Sequence, residues 1–224
     1  MPEFLLYLLL IAAFIFSIFT SVNVKNTFRK YNRMPSSRGV SAATIARQIL
    51  DSNGLYNVQV TRVSGELTDH YDPRTNTVAL SAPVYDSFSV GAIGVAAHEV
   101  GHAIQYAKNY TPIKIRMAIL PVAQFGSSAW ILFFILGIVF NISLLRGVGI
   151  GLFAAIVLFQ LITLPVELNA SSRALATIKD QGILFAEEYK GAKKTLTAAA
   201  MTYVASLAVA LLQLLRLIAS SRRD

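Results

Sequence analysis

The chain has no cysteine in its 224 residues, only three histidines, and charge on just 14% of its positions. Without cysteine, disulfides and thiolate metal ligands are excluded, so any metal must be held by His, Asp or Glu. A soluble domain averages about 25% charged residues, so the shortage of charge points to a membrane protein. Twelve acidic residues face twenty Lys and Arg, for a net charge of +8. That excess does not call for nucleic acid, because the basic residues are scattered around apolar segments, where a topological role is simpler. No nucleic-acid partner is expected. There is no internal repeat and no low-complexity stretch.

What the chain does have is long apolar runs. Four of them, at 4–22, 118–140, 148–166 and 198–220, match the roughly 20 helical residues that a bilayer core requires. The fourth contains Gln213 and Arg216, and Arg216 is near enough to the end to snorkel to the headgroups. The leader "MPE" lacks a positive n-region and no small-x-small cleavage pattern follows, so the first run is expected to be a retained anchor rather than a signal peptide.

Basic residues set the orientation. Eleven lie between the first and second runs and five between the third and fourth, while Arg146, Arg216, Arg222 and Arg223 fall on the other side. Sixteen against four places residues 23–117 and 167–197 in the cytoplasm, with both termini outside. The expected layout is an anchor helix over 1–22, a catalytic region over 23–117 and a transmembrane hairpin over 118–166. A cytoplasmic segment over 167–197, a last span over 198–220 and a tail over 221–224 complete it.

Within 23–117, "SAATIARQILDSNGL" predicts a helix with Ser41 as N-cap and Gly54 just past its end. The runs 58–63 and 77–81 predict strands, separated by the turn formers "DHYDPRTN", and together they suggest a short antiparallel sheet. A strand over 77–81 would offer backbone pairing to an extended substrate. A second helix is predicted to start at Ser89.

That helix carries "GVAAHEVGHAIQ", residues 94–105. Positions i and i+4 of an α-helix differ by about 40° of rotation and roughly 6 Å of rise, so His98 and His102 can reach one ion from the same face. Glu99 lies about 100° round from His98, placed to touch a metal-bound water rather than to be a ligand. The uncharged flanks suit burial, and burying unpaired histidines costs about 1–3 kcal/mol, so they need partners or a metal. Gly94, Ala97 and Gly101 form a small-residue column that lets another helix approach. The bland alternative is a pair of hydrogen-bonded core histidines.

A catalytic zinc site keeps three protein ligands and one open position. With His70 the only other histidine, the third ligand is expected to be a carboxylate. Asp180, Glu187 and Glu188 are sufficiently explained as a solvated face, and Asp69, Asp72 and Asp86 as turn residues. Glu167, in "LITLPVELNASSRA" at the end of the third apolar run, sits where an ionised carboxylate needs a partner. Pro165 is suited to open a short helix there, with Glu167, Ala170, Ser171 and Ala174 on one face. A helix-start glutamate favoured by the dipole is the alternative.

Taken together, "LTDHYDPRTNTVALS", "GVAAHEVGHAIQ", "LPVELNASSRA" and "LTAAAMTYVASLAVAL" resemble the YugP-like neutral zinc metallopeptidases of bacteria, membrane gluzincins related to the HtpX and CAAX prenyl proteases. The resemblance implies Zn2+ held by His98, His102 and Glu167, with Glu99 as general base. It implies proteolysis at the cytoplasmic face of the bacterial cell membrane, on membrane or membrane-proximal proteins. The relatives' E-x-x-A-D pattern ends here in Ser171, so their carboxylate beside the ligands is missing, and Asn169 or Ser171 is left to orient them. His70, Tyr203 and Arg173 remain candidates for an oxyanion donor. The expected fold is predominantly α-helical, with four transmembrane helices and a small α+β gluzincin-like region. A non-catalytic zinc scaffold and a transporter are the competing functions. Against the first stands Glu99, which a purely structural site does not need. Against the second, the spans show no paired interrupted helices.

Overall fold

The computed structural model describes residues 3–221; Met1 and Pro2 of the expected anchor, and residues 222–224 of the expected tail, lie outside them. The element order is α1 (Glu3–Asn32), α2 (Ala42–Ser52), β1 (Gln59–Val63), β2 (His70–Asp72), β3 (Thr77–Ser81), α3 (Ala82–Tyr85), α4 (Val90–Ala107), α5 (Thr111–Val139), α6 (Ser143–Asp180) and α7 (Ala186–Ser221). The protein is mostly helical, with a three-stranded sheet. Four helices, α1, α5, α6 and α7, are long and apolar enough to cross a membrane. The described chain forms two compact units, one of residues 3–20, 111–165 and 202–221, the other of residues 21–110 and 166–201.

In the second unit, Ser41 starts α2 by accepting the Thr44 N–H, and Gly54 follows its end at φ +73°. Ile45 and Ile49, one turn apart, bury fully against the core, with Ala42, Ala46 and Leu50 beside them. Arg47 braces the segment after the helix by donating to the carbonyls of Leu55 and Val58.

The sheet differs from expectation. Its order is β1-β3-β2, and β1 runs parallel to β3, so the two anticipated strands do not form a hairpin. The antiparallel partner of β3 is β2, which lies inside the stretch read as turn. Only "PRTN" turns there: Asp72 Oδ1 accepts the Arg74 N–H at 2.9 Å, and Asn76 takes up φ +52°. As the central strand, β3 is buried nearly throughout, as expected for a strand paired on both edges. Both of its edges are therefore taken, and it cannot accept a substrate strand.

Helix α4 starts where Ser89 Oγ accepts the Ala92 N–H, and it buries Ile93, Val100 and most of its other side chains. The small-residue column admits close neighbours on two sides. A Cβ at Gly101 would lie 2.7 Å from the Ala170 carbonyl oxygen of α6, and one at Gly94 would meet Ala192 of α7. No new helix opens at Pro165: α6 runs straight through it. Losing one backbone hydrogen bond to proline costs less, in an apolar setting, than exposing the full set of unsatisfied groups at two helix ends.

In the first unit, Trp130 of α5 meets Phe153 of α6 edge-on at 4.7 Å, and glycines allow intimate contact. A Cβ at Gly149 would sit 2.8 Å from the Phe134 backbone nitrogen. Large apolar side chains such as Phe14, Phe125 and Leu144 point outward.

Candidate metal centre

His98 and His102 lie on one face of α4, one turn apart, with rings 4.8 Å between centroids and nearly perpendicular. The Gly101–Ala170 contact brings α6 alongside them. Glu167, one turn before Ala170, then places its Oε2 3.3 Å from His98 Nε2 and 3.6 Å from His102 Nε2. One ligand atom from each of the three side chains lies within 4.8 Å of the others, and all three are largely shielded from solvent.

The outer nitrogens of the rings are held too. His98 Nδ1 is 3.0 Å from Ser171 Oγ, and His102 Nδ1 is 3.0 Å from Gln105 Oε1. Gln105 is fully buried, and its amide nitrogen donates to the Val166 carbonyl and to Asn169 Oδ1. That leaves its oxygen to accept from His102, so Nδ1 carries the proton and Nε2 keeps its lone pair. Asn169 Oδ1 also accepts from Arg173 Nε at 2.7 Å, and the Arg173 guanidinium lies over the Tyr110 ring. The chain from Arg173 through Asn169 and Gln105 to His102 thus sets the tautomer of that ring.

This donor set fits zinc. Two donors each about 2.0–2.1 Å from a tetrahedral zinc sit roughly 3.3 Å apart, close to the spacings found. Without a cation, two lone pairs and a carboxylate would point at one another, and a proton must take its place. Burial alone would lower the pKa of His102, but the hydrogen bond to Glu167 and the charge of Glu99 outweigh it and raise the pKa above the ordinary imidazole value. Glu99 is buried on the same helix, and burial raises its pKa, against the pull of both histidines. Among the described residues, none donates a hydrogen bond to its carboxylate.

Of the other acidic candidates, Asp180 is exposed at the end of α6, and the remaining five have partners of their own. Asp69 accepts from the Ser81 N–H and hydroxyl, Asp72 pairs with Arg74, and Asp86 with Arg62. Glu187 pairs with Lys190, and Glu188 accepts the Ser37 N–H. His70 is exposed on β2, with Nδ1 against the Thr68 carbonyl, and Tyr203 lies in the other unit. Sequence reasoning gave Gln105 no role. The available signal was a glutamine three residues after His102 in an apolar flank, where a buried amide demands partners.

A family model described as "Putative neutral zinc metallopeptidase" matches residues 6–222. The chain belongs to this zinc metallopeptidase family. It is 49% identical over 210 residues to "Putative membrane protease YugP" of Bacillus subtilis (strain 168), across 94% of this chain and 93% of that protein. No solved structure matches. Family membership and the His98–His102–Glu167 cluster agree on zinc, and the four apolar helices and the relative's name agree on a membrane location.

Proposed function

We propose that this family member is a gluzincin-type zinc endopeptidase of the bacterial cell membrane, with its catalytic region facing the cytoplasm. Its substrates would be membrane or membrane-proximal proteins. His98, His102 and Glu167 hold the metal and Glu99 is the general base. The observation that carries this reading is the convergence of the Nε2 atoms of both histidines and one carboxylate oxygen beside a buried glutamate that accepts no hydrogen bond from the described residues.

When bound, zinc polarises the scissile carbonyl and lowers the pKa of a water to about 7. Glu99 takes a proton from the attacking water and passes it to the leaving amine. Gln105 keeps His102 in the tautomer that presents Nε2, and Ser171 steadies His98 in the place a carboxylate fills in the wider relatives. His98, His102 and Glu167 would hold zinc with three protein ligands, the number typical of catalytic rather than closed structural sites.

The test is metal analysis beside chelator-sensitive cleavage of an unfolded protein by detergent-purified full chain. Glu99→Gln is expected to keep zinc and lose cleavage by about 10²–10⁴-fold, the usual worth of a general base. Glu167→Ala is expected to lose zinc. Wild-type cleavage by Glu99→Gln would exclude the assigned role. Because the chain has no cysteine, a single cysteine at exposed Tyr56 reports orientation, and it should react only in inside-out vesicles.

A further inference from the structure

Away from the metal cluster, α1 and α7 enclose a cleft of about 590 Å³ within the second unit. That is inside the range of about 300–1,000 Å³ typical of small-molecule sites. Four lysines line it: Lys30 from α1, and Lys190, Lys193 and Lys194 from α7. Lys190 is paired with Glu187 at 2.7 Å, and Lys30 lies over the Tyr31 ring. Among the described residues, Lys193 and Lys194 form no ion pair. Glu187, the partner of Lys190, also feels Lys194. Three positive charges are left without a carboxylate in contact.

The cleft also has a polar and an apolar end. Along α7 the lining passes from the lysines through Thr197 to Ala198 and Met201, at helical spacing, and Ala198 is where the fourth apolar run begins. On α1 the lining residue Asn23 directly follows the first apolar run, and Thr27 lies one turn further on. Gly191 lets α7 approach the lining residue Tyr31 closely, since a Cβ there would lie 2.7 Å from the Tyr31 ring. An apolar wall rising into excess positive charge, at the sequence boundary of two membrane helices, matches a ligand with a phosphate on one end and hydrocarbon on the other.

We propose that this cleft binds the phosphate-bearing headgroup of an anionic phospholipid. The lysines hold the phosphodiester, and Ala198 and Met201 meet the start of the acyl chains. The assignment does not depend on the metal centre.

Native mass spectrometry of the full chain in detergent tests this with dioleoylphosphatidylglycerol, dioleoylphosphatidylcholine and inorganic phosphate as probes. Wild type is expected to retain one phosphatidylglycerol in preference to phosphatidylcholine. Lys30→Gln/Lys193→Gln/Lys194→Gln is expected to weaken retention on the order of a hundred-fold, about five-fold per lysine. The corresponding Arg triple should keep it, which separates lost charge from misfolding. Thr197→Trp, which fills the mouth and leaves every charge in place, should also lose the lipid. Lys25→Gln/Arg29→Gln/Arg33→Gln removes three exposed charges near the same span but outside the cleft, and should keep it. Equal loss in that control, or no loss with Thr197→Trp, would overturn the proposal in favour of diffuse surface charge. Displacement of the lipid by millimolar inorganic phosphate would overturn it in favour of a free anion.

Discussion

Helices α4 and α5 are both strongly apolar, yet they use that character in opposite ways. In α4 nearly every side chain is packed against protein, whereas only 17% of the most apolar window of α5 is buried. The difference is one of solvent. The outward Phe125 and Ile138 of α5 suit hydrocarbon, while Ile93 and Val100 of α4 are satisfied by the core of their own unit. Hydropathy alone does not separate the two cases. Length does: α4 has 18 residues and α5 has 29. The helix that carries the candidate metal ligands is the one whose polar groups must find partners inside protein, which is why a shielded histidine pair and a buried glutamine on α4 can be read as a candidate site.

Substitutions can sharpen that contrast. The largest effect is expected at Gln105, where Gln105→Ala frees the His102 ring and leaves the Asn169 network broken. Zinc affinity should fall by about 10–100-fold, measured by competition with a chelator. A smaller loss is expected from the close helix contact: Gly101→Ala puts a methyl 2.7 Å from the Ala170 carbonyl and should destabilise by about 1–3 kcal/mol in a melting experiment. In the other unit Gly151→Ala meets nothing within 4 Å and should be neutral or slightly stabilising. Equal effects at the two glycines would show that Gly101 does not govern the approach of α4 to α6.

A third effect depends on pH. In metal-free protein both Glu99 and His102 have raised pKa values, so the folded chain binds their protons more tightly than the unfolded chain does. Their contribution to stability is present at low pH and is lost as pH rises through the raised values. The metal-free melting temperature should therefore fall as pH rises past the ordinary carboxylate and imidazole values, and the zinc-loaded protein, with a cation in place of the His102 proton, should show a smaller fall. The smallest effect belongs to the outward apolar surface: exposed Phe125→Leu should leave both melting and zinc binding within about 0.5 kcal/mol of wild type.

Local chemistry made much of this legible from residues alone. Ser41 and Ser89 start their helices as serine caps do, and the four apolar helices follow from run length. The orientation of β1 against β3 was not legible, since an alternating strand pattern says nothing about which distant strand it will join. β2 was hidden because three residues among turn formers carry too little pattern. The continuity of α6 through Pro165 escaped because proline's local preference is overridden in an apolar helix. At the site, i and i+4 spacing linked His98 to His102, and the scarcity of acids singled out Glu167, whose carboxylate meets both rings. Gln105 went unread because a neutral side chain leaves no charge or spacing signature.

The two halves of the metal cluster come from widely separated parts of the chain, with His98 and Glu167 standing 69 residues apart. On the proposed reading, a nascent chain has its histidines and its base long before it has its last ligand. Two further apolar helical stretches must be made before that carboxylate exists. A protease assembled in this order lacks a complete metal site until Glu167 is made, and so does any copy terminated before it.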